Sequence, residues 1–120
     1  MGIQTVHVYA STGRFDSWDD IQDFIHPKCD EDGEAPDSAF MESIGMTEYE
    51  PMCFESIHSP APRPIHELLR GVSYEDQWTH LVDPSIEADS LICVYEQNIV
   101  TKPNGSELKY CGAYTYDPDA

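Results

Sequence analysis

Hydrophobic residues along the chain follow two different spacings, and the change from one to the other predicts where strands and helices lie. β-branched and aromatic residues dominate positions 3–9, which predicts a first strand. From Trp18 to Ile25 the apolar residues instead recur every three or four positions, which predicts a helix with one apolar face. Ser17 stands where it can cap this helix, and Pro27 ends it because proline lacks a backbone N–H.

Three further helices are predicted from the same spacing. The first is short: Asp37 or Ser38 can cap it, and Gly45 ends it. The second is amphipathic and begins at Ile65, after a proline-rich stretch. The third begins at Ser73, where a serine followed three residues later by an aspartate repeats the capping pattern.

Three more strands are predicted, at 52–58, 90–96 and 108–116, and the middle one is the most apolar run of the chain. The proline-rich segment 59–64 predicts an extended connector outside regular structure, because proline removes backbone donors. The sequence Pro-Asn-Gly at 103–105 predicts a hairpin turn before the last strand. On that last strand, alternation predicts that the leucine and the tyrosines lie on one side.

The predicted element order is β-α-α-β-α-α-β-β, with no internal repeat, so residues 1–120 are expected to form a single domain. This order predicts an α+β fold: a mostly antiparallel four-stranded sheet with helices packed on one face. A chain of 120 residues can build a hydrophobic core without a metal or a disulfide.

Charge narrows the possible partners more than any motif does. The chain has 23 Asp and Glu against 6 Lys and Arg, a formal net charge of −17. Nucleic acid and anionic membranes would repel such a protein, whereas a basic protein would be attracted to it. The alternative without a functional role is that the negative charge only maintains solubility. No apolar stretch is long enough to cross a membrane and no signal peptide is visible, so a cytoplasmic location is expected.

Much of the negative charge is concentrated between Phe15 and His58, where thirteen carboxylates accompany a single cation, Lys28. Carboxylates at this density can mimic the spacing of phosphates and occupy the substrate groove of a nuclease, although several are also placed to cap helices. The predicted partner-binding residues form an inserting edge and a flank. The inserting edge is Asp30, Glu31, Asp32, Glu34 and Asp37, and the flanking residues are Glu48, Glu50 and Glu55.

Metal and catalytic motifs are absent from the sequence. The acidic run that starts at Asp30 resembles a calcium loop, but an EF-hand needs glycine at its sixth position and Glu at its twelfth. Here Gly33 is fourth and Met41 is twelfth. The four cysteines lack C-x-x-C spacing and the histidines lack H-x-x-x-H spacing, so neither a metal nor a cofactor is predicted. No residue is predicted to be catalytic, and the cysteines are interpreted as buried or half-buried thiols.

Two questions stay open at this point: whether the protein is a small hydrolase, and whether the tyrosines of the last strand form a binding face. A cysteine and a histidine that are distant in sequence can meet in space, so a small hydrolase remains the weaker hypothesis. Trp18 and Trp78 both lie at helical spacing beside apolar residues and are predicted to pack in the core. The tyrosines of the last strand, Tyr110, Tyr114 and Tyr116, fit an exposed binding face and ordinary sheet packing equally well.

Several short motifs follow one another between about Val6 and Tyr95. They are the acidic turn 29–34, the run 36–40, Gly45-Met46, Tyr49-Glu50, Phe54-Glu55 and the segment 68–78, which contains Gly-Val-Ser-Tyr-Glu-Asp-Gln-Trp. This order resembles the immunity protein 22 family of bacterial polymorphic-toxin systems. Members of that family typically show an acidic Asp-Gly turn, then Ser-x-Phe, then a strand with acidic residues, and later a helix start with Gly-x-Ser-Tyr. The proline-rich segment 59–64 and the C-terminal hairpin have no evident place in that pattern.

The resemblance implies a cytoplasmic antitoxin, made beside a toxin gene, that binds the toxin and occludes its active site. Proteins of this kind are not enzymes, and many of the toxins are nucleases with basic substrate grooves, which suits the charge of −17. The alternative is an acidic nucleic-acid mimic that inhibits a DNA- or RNA-binding protein. The cognate toxin and the oligomeric state are not specified by the sequence.

Overall fold

A four-stranded antiparallel sheet lies at the centre of the computed structural model, which describes residues 2–28, 31–33 and 36–119. The strands are β1 (Gln4–Ser11), β2 (Met46–Glu48), β3 (Phe54–Pro64), β4 (Glu87–Tyr95), β5 (Ile99–Val100) and β6 (Lys109–Tyr116). The α-helices are α1 (Trp18–Ile25), α2 (Ala39–Ser43), α3 (Ile65–Leu68) and α4 (Glu75–Trp78). Short 3-10 turns follow at Pro51–Cys53, Thr79–Leu81 and Pro103–Gly105. The large sheet has the order β3-β4-β1-β6, and β2 pairs with β5 in a separate small sheet. The predicted α+β class and antiparallel four-stranded sheet are confirmed.

Helices cover both faces of the sheet, which corrects the prediction that they pack on one face. Along β1, Val6 and Val8 belong to a hydrophobic cluster with α3 and α4, whereas Tyr9 belongs to a second cluster with α1 and α2. Successive residues of a strand point to opposite faces, so each apolar residue of β1 contributes to one cluster or the other. The apolar run of β4 is buried at every position from Ala88 to Tyr95, which is the pattern of a strand covered on both faces.

The proline-rich segment is part of a strand, which corrects the prediction that it lies outside regular structure. β3 continues through it to Pro64, and only its register with β4 shifts, between His58 and Arg63. β3 is an outer strand of the sheet. Proline is tolerated there because an outer strand has no second neighbour that requires its N–H groups.

Serine caps begin both helices on the α1/α2 face. The Ser17 side chain accepts a hydrogen bond from Asp20 N at 3.1 Å, and the Ser38 side chain accepts one from Met41 N at 3.2 Å. Ser38 Oγ also donates to the Ile25 carbonyl at 2.7 Å, which joins the end of α1 to the start of α2. The predicted cap at Ser73 is wrong: Tyr74 precedes α4 in a left-handed conformation, with φ of 61°, and makes no side-chain cap.

Two predictions about the last strand are also corrected. The turn at 103–105 does not form a hairpin, since β5 pairs with β2 while β6 pairs with β1. A register shift separates the pairs Val8–Gly112 and Tyr9–Tyr110, which leaves Cys111 as an extra residue in β6. Because of this bulge, Leu108 and Tyr110 pack on the α1/α2 cluster whereas Tyr114 and Tyr116 pack on the α3/α4 cluster.

The two tryptophans differ in burial. Trp78 is fully buried, as predicted, whereas Trp18 is 52% exposed and its Nε1 donates to the Ser56 carbonyl at 3.2 Å. Cys93 is buried, Cys53 and Cys111 are half-buried, and all three are free thiols. The fourth cysteine lies outside the described residues. Within the described ranges, no helix has the length and apolar character needed to span a membrane.

Candidate partner-binding surface

Exposed carboxylates are concentrated on the elements that cover one face of the sheet. We call this surface, made of α1, the described part of the loop that follows it, α2 and β2, the acidic layer. Its exposed carboxylates are Asp19, Asp20, Asp23, Glu31, Asp32, Asp37, Glu42 and Glu48. Lys28 is the one cation of segment 15–58, and its Nζ lies 3.2 Å from Asp23 Oδ1, with both side chains exposed. The acidic layer therefore presents a broad negative surface to solvent.

The predicted partner-binding residues fall into three groups. Asp30 and Glu34 lie outside the described residues. Four others, Glu31, Asp32, Asp37 and Glu48, are exposed on the acidic layer. Glu50 and Glu55 are half-buried and engaged within the protein, so their roles differ from those of the exposed four.

Glu50 organises the turn that leads from the acidic layer into β3. Its side chain accepts a hydrogen bond from Met52 N at 3.0 Å, and its backbone N donates to Asn98 Oδ1 at 2.7 Å. Asn98 is 3% exposed, and its Nδ2 lies 3.2 Å from the Glu50 carbonyl and 3.2 Å from the Cys53 carbonyl. These contacts fix the turn against the end of β4 and hold Met52 outward, where 86% of it is exposed.

Glu55 lies in a cleft at one end of the large sheet. Here β1 and β3 begin and β4 and β6 end, as the register pairs Gln4–Tyr116 and Phe54–Val94 show. The cleft has a volume of about 490 Å³. Its lining residues are Gln4, Met52, Cys53, Phe54, Glu55, Ser73, Tyr74, Tyr95, Gln97, Tyr116 and Pro118.

The carboxylate of Glu55 is held by three donors. Ser73 N donates to Oε1 at 2.9 Å, Ser73 Oγ donates to Oε2 at 3.2 Å, and the hydroxyl of Tyr95 also donates to Oε1. Ionised carboxylates accept about four hydrogen bonds, so Oε2 keeps one accepting position. Glu55 is therefore a fixed negative charge with room for one more donor.

Tyrosine rings form the wall of the cleft beside Glu55. Tyr74 stacks on Tyr116 with ring centroids 4.5 Å apart and planes inclined by 19°, and Tyr95 meets Tyr116 edge to face at 5.6 Å. Tyr74 is 38% exposed although it occupies the left-handed backbone region, with φ of 61°. That conformation costs a non-glycine residue about 1–2 kcal/mol, and such strain is found preferentially at functional sites.

Burial further favours the neutral form of two of the phenols, Tyr95 and Tyr116. Burial raises the pKa of Tyr95, and the Cys93 thiol and the hydrogen bond to Glu55 raise it further. Burial likewise raises the pKa of Tyr116. The cleft therefore combines uncharged aromatic rings with one carboxylate, and a planar cation can contact both kinds of group.

A serine, a histidine and an aspartate also meet, near the exposed Trp18, and they bear on the hydrolase alternative. Ser90 Oγ donates to Asp89 Oδ1 at 3.0 Å and lies 3.0 Å from His58 Nδ1. In a hydrolase triad the histidine lies between the serine and the carboxylate, whereas here the serine lies between the other two. Ser90 is 1% exposed, so its hydroxyl cannot reach a substrate, and the cluster is a structural network. The residues that the structure describes also contain no group of three side chains able to hold a metal.

Sequence reasoning missed most of the cleft. Ser73 and Tyr74 belong to the Gly-x-Ser-Tyr motif, and Glu55 belongs to the Phe-Glu motif, but 18 residues separate Glu55 from Ser73 in the chain. The available signal was the presence of both motifs in the family pattern, because motifs that are distant in sequence can contribute to one site when the fold brings them together. Nothing in the local sequence marks Tyr95 or Met52 as part of that site.

Comparison with known proteins places the chain in a family. Neither a curated protein nor a solved structure matches it significantly. A family profile described as Immunity protein 22 matches residues 6–117, a range that includes the proline-rich segment 59–64 and the whole of β6. With both the Phe-Glu and the Gly-x-Ser-Tyr motifs in one cleft and nearly the whole sequence matched, the chain belongs to the immunity protein 22 family.

Proposed function

We propose that the protein neutralises a bacterial toxin by binding a basic toxin domain and covering its active site. The observation that carries this proposal is the acidic layer, where eight described carboxylates are exposed around a single lysine that is itself paired with Asp23. Membership of the immunity protein 22 family supplies the biological setting, in which an immunity protein meets a toxin.

The charge of the acidic layer suits a toxin that acts on nucleic acid. The groove of a nuclease is lined by Lys and Arg that bind phosphates, and surface carboxylates can occupy the same positions. Opposite charges also accelerate encounter, up to several hundredfold at low salt, and the acceleration falls as salt screens the field. The protein would therefore act as a steric and electrostatic plug, in the cytoplasm where a nuclease meets its substrate.

A second candidate rests on the same observation. A phosphate-mimicking surface would also block a DNA- or RNA-binding protein that is not a toxin. The contacts would be the same and only the partner would differ. Family membership favours the toxin, and growth of cells that carry the toxin separates the two.

The test is co-expression with the cognate toxin domain, sought among the products of the neighbouring genes. Cells that express the toxin alone should stop growing, and co-expression of the protein should restore growth. A toxin from an unrelated system serves as the control, and its toxicity should remain. The purified complex should also survive washing at moderate salt; toxicity that persists despite expression of the folded protein would contradict the proposal.

A further inference from the structure

The geometry points to an arginine receptor: the cleft that contains Glu55 takes an arginine side chain of the protein partner, with Glu55 as its counter-ion and the Tyr74–Tyr116 pair as its stacking surface. The inference rests on the proposed function for the identity of the partner. It adds a specific contact in a cleft that is separate from the exposed carboxylates of the acidic layer.

The lining of the cleft selects a cation. Glu55 is the one charged residue among the described residues that line it, and no lysine or arginine is present there. None of the ion pairs between described residues involves Glu55. A phosphate or carboxylate ligand would face this charge without any compensating donor of positive charge, so anionic ligands are disfavoured.

The shape of the available groups favours arginine over lysine. Guanidinium is planar, so it can stack on a tyrosine ring while its N–H groups reach a carboxylate in the same plane. Tyr74 is partly exposed and lines the same cleft as Glu55, whose Oε2 keeps one accepting position. Lysine presents a compact, strongly hydrated charge that gains less from the face of a ring.

Contacts within the protein hold the side chains of the cleft in place. Three donors fix Glu55, and Tyr74 is held in its left-handed conformation against Tyr116. Because little side-chain freedom remains to be lost on binding, the site is preorganised for its ligand. Arginine and tyrosine are also both enriched among the residues that dominate binding energy in protein interfaces.

The chain leads from the acidic layer into the cleft within a few residues, so one partner could contact both surfaces. Glu48 ends β2 on the acidic layer, Glu50 caps the next turn, and Met52 of that turn lines the cleft. The partner would be steered by the acidic layer and fixed by insertion of its arginine beside Met52.

The first experiment uses N-acetyl-arginine amide as the probe, titrated into the ring-labelled protein and followed by NMR. We expect saturable shifts at Tyr74 and Tyr116, and at least fivefold smaller shifts with the uncharged N-acetyl-citrulline amide. Glu55→Gln should weaken binding of the probe at least fivefold. Tyr74→Gly should do the same and is expected to fold, because glycine prefers the left-handed backbone that Tyr74 adopts.

The matched control is Glu87→Gln, which removes the same charge from the other end of β4, about 26 Å from Tyr95 at 3.3 Å per residue. This variant should bind the probe as the wild type does. Shifts that are equal for the arginine and citrulline probes, equal for an N-acetyl-lysine amide probe, or unchanged in Glu55→Gln would each overturn the inference.

A second arm uses the toxin domain itself. If the wild type binds the toxin and both Glu55→Gln and Tyr74→Gly bind it equally tightly, the arginine receptor is wrong and the proposed function stands. If the wild type does not bind the toxin at all, the proposed function fails, whatever the arginine probe shows. A tenfold or larger loss of toxin affinity in both variants, with Glu87→Gln unaffected, would support both.

Discussion

The hydroxyl of Tyr95 donates a hydrogen bond to the carboxylate of Glu55, 40 residues away in the chain. This contact joins the last residue of β4 to the start of β3, and Ser73 reaches the same carboxylate from the segment before α4. A single acidic side chain thus connects three separate parts of the chain. The shape of the cleft depends on these hydrogen bonds to Glu55, and their contribution to stability can be measured.

Replacing Glu55 should destabilise the fold as well as the cleft. Glu55→Ala removes the acceptor for Tyr95 and for the Ser73 backbone, and we expect a loss of about 2 kcal/mol in the free energy of unfolding. Glu55→Gln retains an acceptor and should lose about 1 kcal/mol. Urea denaturation measures both, with Glu87→Ala as the exposed control expected within about 0.5 kcal/mol of wild type. Equal stability of Glu55→Ala and Glu87→Ala would contradict the hydrogen-bond network.

The two helix caps should differ in their contributions. Ser17 caps α1 alone, so Ser17→Ala should reduce the free energy of unfolding by about 1 kcal/mol. Ser38 caps α2 and also donates to the Ile25 carbonyl, so Ser38→Ala should cost about 2 kcal/mol. Parallel denaturation of the two variants tests the difference. Equal losses would show that the link between α1 and α2 adds nothing measurable.

The two tryptophans should respond differently to a neutral quencher. Trp18→Phe leaves the buried Trp78 as the fluorophore, and its emission should shift to shorter wavelength and resist acrylamide. Truncation should separate them as well: Trp78→Ala removes a fully buried ring and should cost about 3–5 kcal/mol, whereas Trp18→Ala should cost about 1 kcal/mol. Strong acrylamide quenching of the Trp18→Phe variant would contradict the burial of Trp78.

Histidine burial predicts a loss of stability at mildly acidic pH. Burial lowers the pKa of His26 from its ordinary 6.5, and His26 Nδ1 lies 2.5 Å from the Tyr49 hydroxyl. A lowered pKa in the folded state means that protonation favours unfolding. The stabilisation is complete above about pH 6.5 and is lost as the pH falls through the folded pKa.

His26→Asn should therefore show a shallower fall in the free energy of unfolding than wild type between about pH 7 and about pH 5.5. NMR titration of the His26 ring measures the pKa directly. Titration at or above 6.5 would contradict the prediction. His7, whose pKa is lowered by burial and partly restored by Glu96, should contribute in the same direction.

Charge reversal of three residues of the predicted inserting edge should slow association with the toxin. We expect Asp30→Lys, Glu31→Lys and Asp32→Lys, introduced together, to reduce the association rate about tenfold or more at low salt and to weaken its dependence on salt. Stopped-flow measurement at about 50 mM and about 300 mM salt tests this prediction. Unchanged affinity and unchanged salt dependence would place the binding surface elsewhere.

Local sequence signals predicted the elements well where one physical cause dominates. Ser17 and Ser38 cap their helices because a serine oxygen can accept a hydrogen bond from an N–H group three residues on, and that relation is local. The apolar run of β4 likewise identified a central strand. The exposed carboxylates of the acidic layer needed only the rule that isolated charges stay in solvent.

Errors arose where tertiary contacts outweigh local preference. Trp18 has helical spacing, yet its indole lies outside the core and bonds to Ser56 of β3. The bulge at Cys111 reverses the faces of the last strand, and alternation alone cannot locate a one-residue insertion. The Ser73 hydroxyl bonds to Glu55 instead of capping α4, and Tyr74, in a left-handed conformation, separates Ser73 from that helix. The cleft is built from such distant pairings and so escaped sequence reasoning.

The prolines of β3 make the two outer strands of the sheet unequal as pairing partners for another strand. Pro60, Pro62 and Pro64 have no N–H to offer, so this outer strand is a poor template for another chain. Among the described residues, β6 is the other outer strand of that sheet. An extended segment from a toxin or from a second copy would therefore pair less readily with the proline-rich half of β3 than with β6.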